Sequence, residues 1–234
     1  MGAISGETRL VALLGQPVSE SLSPRMQNAA FAARGLDWAY VACEVAAEQL
    51  GEAVRGLVAL GFAGANVTIP HKRAAAALCD EAEGDSVNTL VFRKGCTVGF
   101  NTDQAIVAGI ESEHVCLIGA GGAAEALLPA LQGTVRVFSR SGDWPPDATD
   151  ADLIVNATPV RDELLVEPEP PQKVVDLAYR GDGSPTALVA AASERGCPMV
   201  IDGLEALVRQ GAASFEHWTG VSAPLEAMRA ALRR

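Results

Sequence analysis

Lys72 stands at the end of Asn66-Val67-Thr68-Ile69-Pro70-His71-Lys72, where a short apolar strand, residues 64–67, runs into a turn and then a helix. Pro70 suits the first turn of that helix, because its missing N–H would have had no partner there. A strand end opening into a helix N-terminus offers backbone donors to a polar ligand. The helix dipole does nothing to hold a proton on a lysine at that end, which suits a side chain that must release and recover one. Asp103, in Asn101-Thr102-Asp103, opens a helical pattern running to 110. Taken alone it reads as an N-cap; set beside Lys72 it completes a Lys–Asp proton relay.

Other residues have the chemistry of binding. Ser21 and Ser23 are spaced by one in Ser21-Leu22-Ser23-Pro24, so their hydroxyls point the same way and could hold one carboxylate or diol. Ser23 before Pro24 also suits the start of a helix that stops at Gly35. Gln210 lies at the edge of the apolar face of a C-terminal helix, from which its amide could reach a ligand hydroxyl. Gly119-Ala120-Gly121-Gly122-Ala123-Ala124 follows the apolar strand 115–118 and opens a helix over 123–131. That is the dinucleotide fingerprint in its required strand–turn–helix context: a tight turn at Gly119, close pyrophosphate approach at Gly121, helix–strand packing at Ala124. An NAD-preferring site puts an acid about 20 residues after the first glycine. Here the chain has Ser139-Arg140-Ser141, whose guanidinium and hydroxyls suit a 2′-phosphate and hence NADP.

These residues need a frame. The 234 residues, 49% hydrophobic, can build one large domain or two small ones. A net charge of −11 argues against nucleic acid or an anionic membrane as partner. No apolar run reaches the roughly 18 residues of a membrane span, and no signal peptide is visible. Five scattered cysteines without a Cys-x-x-Cys pair suggest reduced thiols in a cytoplasm, and no metal-ligand spacing occurs. Strands at 10–14, 39–45 and 64–67 alternate with helices at 23–34 and 48–60, which is the pattern of an α/β domain. A hairpin at 86–100 follows. After the glycine-rich turn come strands at 135–138, 153–156, 174–177 and 199–201, with a helix at 186–195. Residues 141–150, with Gly142, Pro145 and Pro146, are too few and too broken for a crossover helix.

In their order along the chain, these motifs resemble the shikimate dehydrogenase family over essentially the whole length. Val87-Asn88-Thr89-Leu90, Asn156-Ala157-Thr158-Pro159-Val160, and Gln210 with Phe215 and Trp218 complete the match. The resemblance implies two α/β domains: a mixed-sheet substrate domain at 1–101, to which 203–234 returns, and a Rossmann-like domain at 102–202. By position it implies that Ser21 and Ser23 hold a shikimate carboxylate and that Thr68, Asn88 and Gln210 bind ring hydroxyls. Lys72 and Asp103 are then the polar pair at the reacting carbon, with Tyr179 also in the substrate site. Gly119, Ala120, Gly121, Gly122 and Ala123 would meet the pyrophosphate, and Ser139, Arg140 and Ser141 the 2′-phosphate, with Thr158, Pro159 and Val160 also on the cofactor side.

The chain departs from the family at three places. A second basic residue usually follows the Arg140 position; here stands Trp144, with no Lys or Arg before Arg161. Arg161-Asp162 replaces the usual Gly-Met after Thr-Pro-Val, and Asp85-Ser86 replaces Gly-Ala before Val-Asn-Thr. The expected activity is reversible reduction of 3-dehydroshikimate with NADP, by a monomer or homodimer, NAD not being excluded. The alternatives are a paralogue acting on quinate or an aminated shikimate, and a binding protein that has lost catalysis.

Overall fold

The computed structural model describes residues 4–233. They form two compact units, one made of residues up to Thr102 and from Gln210 onward, the other of Asp103–Arg209.

The first unit opens with β1 (Arg9–Gly15), α1 (Ser23–Ala33), β2 (Trp38–Glu44), α2 (Leu50–Ala59) and β3 (Gly64–Val67). There follow α3 (Lys72–Ala76), β4 (Glu81–Ala82), β5 (Thr89–Arg93) and β6 (Cys96–Phe100). The six strands lie in the order β2-β1-β3-β5-β6-β4. β1 runs parallel to β2 and β3, because a helix carries the chain back each time. The β5–β6 pair is antiparallel, joined by the two-residue turn Lys94-Gly95. Both turn residues have positive φ, 51° and 83°, as a hairpin matching strand twist demands. β1 is apolar and buried from Val11 to Leu14 because the sheet is covered on both faces. Leu50, Val54 and Leu57, three to four residues apart on α2, pack on Leu14, Ala65, Val67 and Leu90.

A 3₁₀ segment, Thr102–Ile106, stands where the apolar spacing predicts an α-helix to 110. The stretch is too short to propagate a helix, and Gly109 at φ 75° turns the chain away. The second unit continues with β7 (His114–Ile118), α4 (Gly122–Leu127), β8 (Thr134–Phe138), β9 (Leu153–Asn156), β10 (Lys173–Asp176), α5 (Ala187–Glu194) and β11 (Met199–Ile201). Its five strands are all parallel, in the order β11-β10-β9-β7-β8. α4 stops earlier than the predicted 131, because Pro129 has no N–H to continue the ladder; a 3₁₀ turn, Leu128–Ala130, follows. No helix joins β8 to β9. Loop residues Ala148 and Val166 instead cover Cys116, Ile118, Ile154 and Val174 on that sheet face, with Leu164 and Leu165 packed beside them. Gln172 fixes the loop, its amide donating to the carbonyls of Ala148 (2.6 Å) and Ala151 (2.9 Å).

The chain ends in α6 (Gly203–Thr219) and α7 (Leu225–Leu232). From Gln210 onward they pack in the first unit. Phe215 stacks on Phe31 with centroids 5.4 Å apart, and the Trp218 indole N–H donates to the Leu90 carbonyl at 2.9 Å. This contact needs Gly64: a Cβ there would stand 2.2 Å from the Leu90 oxygen and 2.5 Å from the indole nitrogen. Gly64→Ala should therefore cost about 1–3 kcal/mol of stability, the range for overpacking a core. Urea denaturation measures it, beside a control such as Gly56→Ala, where a Cβ would meet nothing within 4 Å.

Candidate functional site

In the first unit the candidate residues gather at the carboxyl ends of β1 and β3, the edge where open α/β sheets bind ligands. The edge is built on Asn66. Its Oδ1 accepts from the Tyr40 hydroxyl at 2.8 Å. Its Nδ2 lies 3.0 Å from each of the Asn88 carbonyl, Thr89 Oγ1 and Ser214 Oγ. Burial pushes the Tyr40 hydroxyl far above the usual phenol range, so it remains a donor. Asn88 is held in turn. Its Oδ1 accepts from the Thr102 N–H (2.8 Å), the Thr102 hydroxyl (2.9 Å) and the Thr89 hydroxyl (3.2 Å). Three donors on one oxygen fix which way the amide faces, with its NH₂ turned from Thr89 and Thr102.

The other predicted residues of this unit sit on the same edge. Thr68 follows β3; its N–H donates to the Leu14 carbonyl at 2.9 Å, and its methyl fills the space that a side chain at Gly15 would need. Lys72 opens α3, half-buried, and its carbonyl accepts from the Val87 N–H at 3.2 Å, which ties it to the segment bearing Asn88. Pro70 is not in the first helical turn as predicted. It lies within the turn from Thr68 to His71, closed by the His71 N–H on the Thr68 carbonyl at 2.9 Å, so α3 starts two residues later. His71 is buried, its Nε2 2.7 Å from the Val45 carbonyl. Ser23 is the first residue of α1 rather than its cap; Leu22 takes the cap position, and Ser21 Oγ accepts from the Ser23 N–H at 3.3 Å. Ser23 is buried beside the Tyr40 hydroxyl, next to the Asn66 network. Gln210 is half-buried one turn before Ser214, whose hydroxyl donates to its carbonyl at 3.1 Å.

In the second unit the strand order reverses between β7 and β9, the switch point where doubly wound sheets bind nucleotides. The turn after β7 lies there. Gly119 has φ 114°, open to glycine, and a Cβ would crowd Ala157 and Thr158 at 3.2–3.3 Å. Gly121 differs. Its φ of −92° and ψ of −176° suit any residue, and a Cβ at Gly121 or Gly122 would meet nothing within 4 Å. The chain's own packing does not require glycine there; the open space above the turn is the room a pyrophosphate would fill. Ala120 is exposed on this turn and Ala123 half-buried behind it, while Ala124 packs into the core beside Leu117 and Val155.

Beside it, β9 ends in Asn156, whose Oδ1 accepts from the Thr158 N–H (3.0 Å) and hydroxyl (2.7 Å). Thr158 Oγ1 accepts from the Val160 N–H at 3.3 Å, which curls the Pro159 turn back. Asn156 Nδ2 donates to Asp176 Oδ1 at 2.9 Å. Asp176 also accepts from the Ala178 N–H (2.9 Å) and the Thr186 hydroxyl (2.5 Å). At the end of β8, Ser139 and Ser141 place their hydroxyl oxygens 3.3 Å apart, and exposed Arg140 pairs with Glu163 at 3.7 Å. Arg161, a candidate for the lost second base, gives its carbonyl to the Ala187 N–H at 2.8 Å. Tyr179 is half-buried and lines a concavity of about 250 Å³ with Arg180, Ser184, Asp202 and Leu204. Asp103 is half-buried in the 3₁₀ segment that follows Thr102.

Known proteins carry a similar sequence and fold. Residues 13–90 match the family described as Shikimate dehydrogenase substrate binding domain, and 203–233 match the Shikimate 5'-dehydrogenase C-terminal domain. The Shikimate dehydrogenase (NADP(+)) of Rubrobacter xylanophilus is 41% identical over 98% of this chain and 97% of its own. The chain belongs to the shikimate dehydrogenase family. The family enzyme of Methanopyrus kandleri is 37% identical over 98% of this chain and 97% of its own. A shikimate dehydrogenase solved in complex with NADP+ superimposes with a TM-score of 0.87 at 31% identity, covering 98% of this chain and 96% of that one. The Thermus thermophilus enzyme solved with shikimate gives 0.84 at 30%, covering 97% and 98%. The two-domain α/β fold is thus that of the family. Among the described residues no helix is long and apolar enough to cross a membrane, and no group of three or more His, Cys, Asp or Glu could hold a metal.

Sequence reasoning passed over Tyr40, Ser214 and Asp176, which position the edge residues. The available signal was a polar residue in an otherwise apolar strand, as at Asn66, Asn156 and Asp176. Burial raises the Asp176 carboxyl above its ordinary value of 3.8, outweighing its three hydrogen bonds; Asp202 nearby adds to the rise. The folded protein therefore binds that proton more tightly than the unfolded chain. The stabilisation is complete below the ordinary carboxylate pKa and is lost as pH rises through the folded value. As pH rises from about 4, wild type should lose stability relative to Asp176→Asn. Denaturation midpoints of the two proteins along that rise check the slope.

Proposed function

We propose that this chain is an NADP-dependent shikimate dehydrogenase, reversibly converting 3-dehydroshikimate to shikimate. The observation that carries the reading is the pair of unobstructed glycines at the β7–β9 switch point, in a chain 41% identical over its length to a relative named for NADP(+). A related Thermus thermophilus enzyme solved in complex with NADP(H) and shikimate supports the ligand pair. When bound, NADP supplies or takes the hydride. The chain's own residues do the rest.

Ser21 and Ser23 bind the substrate carboxylate through hydroxyls at the start of α1. Asn88, locked by Thr102 and Thr89, directs its NH₂ to a ring oxygen, and Thr68 and Gln210 take the remaining hydroxyls. Lys72 gives a proton to the oxygen that gains charge as the ketone is reduced, and takes it back in the reverse direction. On the family's pattern we carry the acid role to Asp103 and a substrate-binding role to Tyr179. Gly119 to Ala123 with Thr158, Pro159 and Val160 seat the pyrophosphate side of the cofactor, and Ser139, Arg140 and Ser141 its 2′-phosphate. We assign 1–101 with 203–234 to substrate and 102–202 to cofactor.

The first test is absorbance of reduced nicotinamide with shikimate and NADP; no reaction with shikimate sinks the assignment. Lys72→Ala should lower kcat by roughly 10²–10⁴, the span of general acid–base catalysis, with a smaller change in KM. Gly121→Val should leave the thermal midpoint unchanged, because its side chain meets open space, and abolish NADP binding measured by calorimetry. A variant that still binds NADP would place the cofactor elsewhere.

A further inference from the structure

We propose that Glu163 sets the cofactor preference of this chain, by holding a carboxylate against Arg140 at the place where a 2′-phosphate would bind. This rests on the dehydrogenase reading above. Arg140 Nη2 stands 3.7 Å from Glu163 Oε2, and the guanidinium also lies over the Trp144 ring at 5.6 Å. The side chains are 70% and 65% exposed, so the pair faces the solvent from which a nucleotide would arrive.

Glu163 is held there by its loop. Just before it, Asp162 pairs with Arg180 at 2.5 Å, and the Arg161 carbonyl accepts from the Ala187 N–H at 2.8 Å and from Arg180 Nη2 at 3.2 Å. Just after it, Leu164 and Leu165 pack against the sheet. The carboxylate thus returns to this pocket from the β9–β10 loop, although the end of β8 lacks one. A 2′-phosphate must displace it from Arg140 or sit beside its charge, and residues 141–160 contain no Lys or Arg to offset that. A ribose 2′-hydroxyl meets no such penalty, since a carboxylate is its ordinary acceptor in NAD sites. The chain consequently accepts both cofactors, with a weakened preference for the phosphorylated one.

An exposed ion pair contributes up to about 1 kcal/mol, equivalent to about fivefold in affinity. Calorimetry on the full chain with adenosine 2′,5′-bisphosphate and with ADP reads this directly. Glu163→Gln should tighten the 2′,5′-bisphosphate about three- to fivefold and give ADP no such gain, the effect shrinking as salt is raised. Arg140→Gln should weaken only the 2′,5′-bisphosphate. The proposal is overturned if Glu163→Gln binds that nucleotide no better than wild type while Arg140→Gln loses it. Wild type that binds neither nucleotide would overturn the dehydrogenase reading and this inference with it.

Discussion

A buried amide with every hydrogen-bonding atom committed governs the first unit. Asn66 sits in a four-residue strand between two parallel or antiparallel neighbours, where an unpaired polar group would cost about 1–3 kcal/mol. Tyr40 supplies its donor, and Thr89, Ser214 and the Asn88 carbonyl its acceptors. Those partners come from a neighbouring parallel strand system, an antiparallel hairpin and the C-terminal helix α6. The amide can be satisfied only when all of them are in place, so the ligand edge and the return of α6 are specified together. Replacing such a network piecemeal leaves orphans, which is why it fixes one arrangement more firmly than apolar contact would.

The second unit repeats the device with different residues. Asn156 ends a central parallel strand, as Asn66 nearly does, and bridges the Thr158 turn to Asp176 on the next strand. Asp176 passes the constraint to Thr186, which caps α5 by accepting from the Val189 N–H. In both units, then, a side-chain amide converts the raw end of a sheet into a shaped loop. The turns at Thr68 and Thr158 take their form from hydrogen bonds rather than from length.

Much of this was legible in the sequence. The strands at 64–67, 153–156 and 199–201 have their observed bounds, since apolar runs between Gly, Pro and Asn leave little choice. The helix-less crossover followed from Gly142, Pro145 and Pro146. Less legible were features decided by tertiary partners. Pro70 suits either a turn or a helix start, and the Thr68–His71 hydrogen bond decides for the turn. Ser23 has the chemistry of a cap, but α1 begins at Ser23 itself and Leu22 takes the cap position. The first-unit residues named from sequence lie along the carboxyl edge of β1 and β3; Tyr40 and Ser214, which were passed over, stand behind that edge. Glu163 was invisible because no local rule joins a residue of the β9–β10 loop to an arginine in the turn after β8.

The helix missing between β8 and β9 has a further result. β8 is the outermost strand of its sheet, and most of its residues, including Val137, are open to water. A bare rim of this kind invites a foreign strand to pair along it. Arg136, at the middle of β8, is stacked on Phe138 and tethered to Asp147 of the abbreviated loop, so a fixed charge stands on the rim. A charge placed on an open strand works against edge-to-edge pairing, so the abbreviated loop holds in place a residue that opposes it.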